Sequence, residues 1–147
     1  MESNKLNEKV IGIEKNFRQA SWKTKLKGRE ILSEFDITPP QFNALLTLTS
    51  TNESLTIGEL SNKMFLACST VTDLLDRMER NELVIRVKDE KDRRVVRIKV
   101  LDKGNKVIEG VLDNRRKYIA ENLDGLSDDM INSVFEVMAM LNEKMDL

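Results

Sequence analysis

The sequence predicts a mainly α-helical chain that carries one small β wing. Three observations lead there. Apolar residues recur at three- and four-residue spacing over most of the chain. Only two prolines and six glycines interrupt 147 residues, so long helices are expected. Between Leu83 and Val100 the helical period gives way to two short β-branched runs around a charged turn.

Asn4 to Phe35 reads as helix: Leu6, Val10, Ile13 and Phe17 share a face, which Leu26, Ile31, Leu32 and Phe35 resume. The run Ile37-Thr38-Pro39-Pro40-Gln41-Phe42 starts a second helix. Thr38 caps, Pro39 takes the first helical position, Gln41 completes a capping box, and Ile37 and Phe42 form a hydrophobic staple. Leu55-Thr56-Ile57-Gly58-Glu59-Leu60 repeats the device, and its short helix ends near Met64. Cys68 to Arg80 is the next helix, with Val71, Leu74, Leu75 and Met78 as its buried stripe. Leu83 to Val87 and Val95 to Val100 read as strands on either side of the turn Lys88 to Asp92. Asp102 caps a helix through Tyr118, and Ser127-Asp128-Asp129 caps the last one. Two short helices joined tightly, then strand, charged turn and strand, describe a winged helix-turn-helix.

Composition bounds the function. With 40% hydrophobic and 33% charged residues, the chain can build a core under a densely charged surface. No apolar run is long enough to span a membrane, and MESNKLNEKV does not read as a signal peptide. A single cysteine excludes an internal disulfide and fits a cytoplasmic chain. There is no histidine, no glycine-rich phosphate loop, no nucleophile elbow and no metal-ligand cluster, so the sequence points to neither an enzyme nor a cofactor. The net charge of −1 hides an asymmetry. Arg86 to Lys99 holds seven basic residues against three acidic ones, whereas Ile119 to Leu147 holds seven acidic residues against Lys144. A binding partner responds to the local field, not the total.

The candidate surface therefore has two parts. The polar face of the Cys68 to Arg80 helix offers Ser69, Thr70, Thr72, Asp73 and Arg77 to base edges in a major groove. The basic turn can reach the narrow minor groove beside it, with Asp92 holding Arg94 in one orientation beforehand. Lys88, Lys91 and Arg93 suit phosphates. The opposing reading of either feature alone is a solvated face.

Residues Leu55 to Leu60, Ser69 to Glu79 and Asp89 to Val95 together resemble the MarR/SlyA family of bacterial transcriptional regulators. The resemblance extends over Ile37 to Phe42 and Leu101 to Gly104, and the outer helices fit in length and character. It implies one subunit over 1–147, with 4–36 and 102–147 as dimerisation helices and 37–101 as the DNA-binding lobe. It implies a homodimer on double-stranded DNA at a pseudo-palindromic operator, usually as a repressor released by a small phenolic ligand or by cysteine oxidation. Ser69, Thr70, Thr72 and Arg77 would read the major groove, and Asp92 and Arg94 would form the wing tip.

Several positions depart from the family pattern. Asp73 stands where relatives often carry a basic residue; it can accept a bond from cytosine or pair with Arg77 one turn on. Glu82 replaces a usual glycine, so Asn81 is expected to supply the left-handed turn. Cys68, near Lys63 at a helix start, is a candidate oxidation sensor or simply a small half-buried residue. The sensing cysteine best known in the family lies in the N-terminal helix, which has none here. Met64, Met78, Met130, Met138, Met140 and Met145 fit core packing better than a soft ligand pocket. Trp22 and Tyr118 are candidates for lining an effector pocket. The second functional class, motivated by Asp73 and the acidic tail, is a dimeric protein-interaction module on the same scaffold.

Overall fold

The structure, a computed structural model, describes residues 2–145. Six helices and three strands appear among them. They run in the order α1 (Glu2–Glu34), α2 (Pro39–Thr49), β1 (Leu55–Thr56), α3 (Ile57–Met64), α4 (Cys68–Arg80), β2 (Val84–Lys88), β3 (Val96–Val100), α5 (Asp102–Leu123) and α6 (Asp128–Lys144). The chain forms two compact units, which meet in sequence between Leu112 and Asp113, inside α5.

The first unit holds the core, and its helix starts follow from their sequences. At Thr38 the side chain accepts from Gln41 N (3.4 Å) while Gln41 Oε1 accepts from Thr38 N (3.1 Å). Thr56 and Glu59 make the same reciprocal pair, at 3.1 and 3.2 Å. Each box satisfies donors that the first helical turn leaves open, a contribution of about 1 kcal/mol. The staple residues Ile37, Phe42, Leu55 and Leu60 are all buried. Val71, Leu75 and Met78 of α4 close the core against them, with Ile98 of β3.

The wing is an antiparallel ribbon, with Val84 opposite Val100 and Lys88 opposite Val96. Its strands begin one residue later than the β-branched pattern suggests. A third strand, β1, pairs Leu55 with Ile98 and Thr56 with Arg97, giving the order β1-β3-β2. Two residues carry no periodicity, so β1 had no sequence signal. Thr56 both caps α3 and anchors the sheet.

Three local expectations need correction. Asn81 is not left-handed (φ −86°); Glu82 takes that conformation itself (φ +61°). The turn is closed by Glu82 N to Glu79 O (3.0 Å) and Leu83 N to Met78 O (3.0 Å), which leave position 82 no other backbone geometry. Asp102 lies in the first turn of α5, and the carbonyl of Leu101 accepts the opening helical bond from Asn105 N (3.1 Å). Of the methionines, Met78 is buried and Met64 half-buried, but Met130, Met138, Met140 and Met145 are exposed. No residue of α6 is buried. In the first unit most of α1 is likewise uncovered, with Val10, Ile13, Phe17, Trp22 and Leu26 exposed.

Two substitutions test these backbone constraints. Gly104 lets α5 approach the wing: an added Cβ would meet Leu83 O at 2.5 Å and Val100 Cγ1 at 2.8 Å. In urea denaturation, Gly104→Ala should destabilise the chain by about 1–3 kcal/mol, the usual result of overpacking. Glu82→Gly should stabilise it by about 1 kcal/mol, since glycine adopts the left-handed turn without strain.

Candidate nucleic-acid interface

α4 presents its polar face outward. Ser69, Thr70, Asp73 and Arg77 are exposed and fall within an arc of about 100° on the helix. Thr72 lies on the flank, half-buried, and its hydroxyl donates to Cys68 O (2.8 Å), so its proton is already committed. The expected pair between Asp73 and Arg77 is not formed among the described residues; both side chains point into solvent without an ion pair. Cys68 is exposed, with its Sγ 3.2 Å from Oγ of the buried Ser61. Trp22 lies exposed on α1, in the first unit, and Tyr118 belongs to the second.

The wing tip is internally braced. Asp92 Oδ1 accepts from Arg94 N (3.1 Å) and Arg94 Nε (3.0 Å), and Oδ2 accepts from the guanidinium at 3.1 Å. The Arg94 side chain is nonetheless 91% exposed, held in place yet open to a partner. Asp92 is in turn fixed from below, because Asp89 Oδ2 accepts its amide (3.1 Å). Asp89 Oδ1 accepts from Arg97 Nε (3.1 Å), and Arg97 also donates to Ser54 O (2.8 Å). A line of hydrogen bonds therefore runs from the base of the sheet to Arg94. Lys88, Lys91 and Arg93 are exposed around it.

Arg86 joins the two parts of the surface. From an inward position on β2 its guanidinium donates to Asp76 Oδ1 (2.7 Å), to Glu79 Oε2 (2.5 Å) and to Thr72 O (3.4 Å). Its amide also donates to Glu79 Oε1 (3.4 Å). Partial burial penalises its charge, but the hydrogen bonds and charges of Asp76 and Glu79 outweigh that, and its pKa rises above the ordinary value. Sequence reasoning counted Arg86 and Arg97 only as basic charge. Their structural use had a signal: Arg86 sits two residues after buried Val84, on the same strand face, opposite acids at three-residue spacing on α4.

The comparisons with known proteins bear on this geometry. The model of the MarR family matches residues 37–96. Over 133 residues the chain is 50% identical to the uncharacterised HTH-type transcriptional regulator YsmB of Bacillus subtilis, covering 90% of each. It is similar in structure to a MarR family protein from Bacillus stearothermophilus, with a TM-score of 0.84, 47% identity, and coverage of 95% of this chain and 96% of the other. The chain belongs to the MarR family. It is also 30% identical to the HTH-type transcriptional repressor MdtR of Bacillus subtilis, over 76% of this chain and 72% of that one. This MarR-family chain is accordingly a DNA-binding transcriptional regulator, of a family of regulators and not of enzymes. Among the described residues no helix is long and apolar enough to cross a membrane.

Two predictions follow from the bracing. Arg86→Met should lower stability by about 2 kcal/mol, the scale of hydrogen bonds to charged groups, and should weaken DNA binding although Arg86 is not exposed. Urea denaturation and fluorescence anisotropy measure the two effects. The second concerns acid. The hydrogen bond from the Asp92 amide, and then that from Arg97, hold Asp89 below the usual carboxylate range; Arg94 does the same for Asp92. Carboxylates whose folded pKa is depressed stabilise the fold fully above their ordinary value of about 4 and lose that effect as pH falls below it. NMR of the Arg94 amide and Nε–H should therefore show the brace intact at neutral pH and lost only on acidification below that range.

Proposed function

We propose that this chain is a cytoplasmic, sequence-specific repressor that binds a pseudo-palindromic operator as a homodimer. The observation that carries this reading is Arg94, exposed at the wing tip yet fixed by both oxygens of Asp92. An arginine oriented before DNA arrives loses less entropy on entering a narrow minor groove. Ser69, Thr70, Asp73 and Arg77 would face the major groove, with Thr72 at the margin, contributing an acceptor only. Lys88, Lys91 and Arg93 would neutralise phosphates, and Asp92 would position Arg94.

The division into a DNA-binding lobe (37–101) and dimerisation helices (4–36 and 102–147) is part of the same reading. Its support is the uncovered apolar surface on α1 and, separately, on α6. A homodimer would set two recognition helices about 34 Å apart, one turn of DNA. Repression is supported by the repressor MdtR among the relatives. Release by a small aromatic or phenolic ligand, or by oxidation at the exposed Cys68, completes the proposal. A second reading, a dimeric protein-interaction module, is favoured by one observation: Asp73 places an unneutralised carboxylate on the face meant for DNA.

Selection of binding sites from random duplexes tests the function. A two-fold symmetric, salt-sensitive consensus is expected, with two chains bound per site. Arg94→Ala should then weaken operator binding by about 1–3 kcal/mol, and Lys91→Ala should lower the log–log salt slope by about 1. Failure to enrich any sequence, together with recovery of a stable protein partner, would favour the second reading.

A further inference from the structure

Phe65 stands apart from every other large apolar side chain among the described residues. It is 94% exposed, and it holds a left-handed backbone, φ +55° and ψ +40°. Bulky residues rarely adopt that conformation, and glycine adopts it freely. The geometry is enforced by the end of α3, where Phe65 N donates to Asn62 O (3.3 Å) and Leu66 N to Ser61 O (3.1 Å). A phenyl ring here serves neither the cap nor the core.

Its position suggests what the ring serves. Phe65 opens an unbroken exposed stretch that runs through Thr70, into the first turn of α4. Ala67 at the head of that helix makes no side-chain cap, and Leu66, the large side chain between the ring and Ser69, is itself exposed, so the segment from Phe65 to Thr70 is open to a partner along its whole length. Lys63, exposed in the last turn of α3, adds a positive charge two residues before the ring. A cation and an apolar ring on one exposed turn suit DNA, where a phosphate neighbours each deoxyribose, better than they suit an apolar protein groove.

We propose that Phe65 is a DNA-contacting residue that packs its ring on apolar groups at the edge of the major groove. Those groups are a thymine methyl or the face of a deoxyribose. The proposal rests on the operator-binding reading and adds to it a contact outside the polar face of α4 and the wing.

The test uses the full chain and the operator obtained by selection. Phe65→Gly and Phe65→Asn both accept the left-handed backbone, so their melting temperatures should be unchanged or higher. Their affinity for the operator, by fluorescence anisotropy, should fall about tenfold, the scale of burying part of an aromatic ring. Replacing thymine by deoxyuridine in the operator identifies the contact. If the methyl is touched, wild type loses affinity on the substituted duplex and Phe65→Gly does not. If the sugar is touched, Phe65→Gly is weaker on both duplexes by the same factor. Binding by both variants within twofold of wild type would overturn the proposal. So would a lowered melting temperature in both, which would make the ring a packing element. Wild type that selects no sequence would instead remove the operator reading, and this proposal with it.

Discussion

The guanidinium of Arg86 is the constraint on which the arrangement of the DNA-facing surface depends. Recognition helix and wing come from different parts of the fold. The pairing of β1 with β3 holds one side of the ribbon, and Arg86 ties the other side to the recognition helix by reaching from β2 to three groups on α4, at Thr72, Asp76 and Glu79. The bonds are charge-assisted and partly shielded from water, so they are stronger than the surface pairs on α1. They also engage Asp76 and Glu79 in ion pairs, which leaves Asp73 as the acid of α4 without one among the described residues.

The same economy governs the wing. A hairpin loop with six charged residues, Asp89 to Arg94, would ordinarily be mobile. Here Asp89 and Arg97 tie the loop to the sheet, and Asp92 passes that order to Arg94. Basic residues thus divide into two groups. Arg86 and Arg97 serve internal order, while Lys88, Lys91, Arg93, Arg94 and Lys99 remain open to a polyanion. The local excess of positive charge at the wing is real, but only part of it is available for binding.

Much of this was legible in the sequence. The capping boxes at Thr38 and Thr56, the boundaries of α4 and the exposure of Ser69, Thr70 and Arg77 follow from short-range chemistry that residue spacing records. The Asp92–Arg94 brace was also readable, because two residues in a tight turn must be neighbours. Contacts between distant segments were not. The pairing of β1 with β3 spans some forty residues, and the Arg86 clamp joins a strand to a helix whose separation no local pattern fixes. Glu82 shows another limit. A charged residue accepted a glycine geometry because the hydrogen bonds at the end of α4 require that turn whatever side chain is present. The methionines of α6 mark a third: helical spacing identifies an apolar face but not what covers it.

A double-mutant cycle on Arg86 and Arg94, read as operator affinity, tests most directly whether helix and wing act as one preassembled surface. If Arg86 sets the orientation from which Arg94 reaches the minor groove, removing Arg94 matters less once Arg86→Met has loosened the wing. The combined loss should then fall short of the sum of the single losses by more than about 0.5 kcal/mol, beyond the scatter of independent sites. Losses that add within that margin would contradict the account, because the wing and the recognition helix would then contact DNA independently.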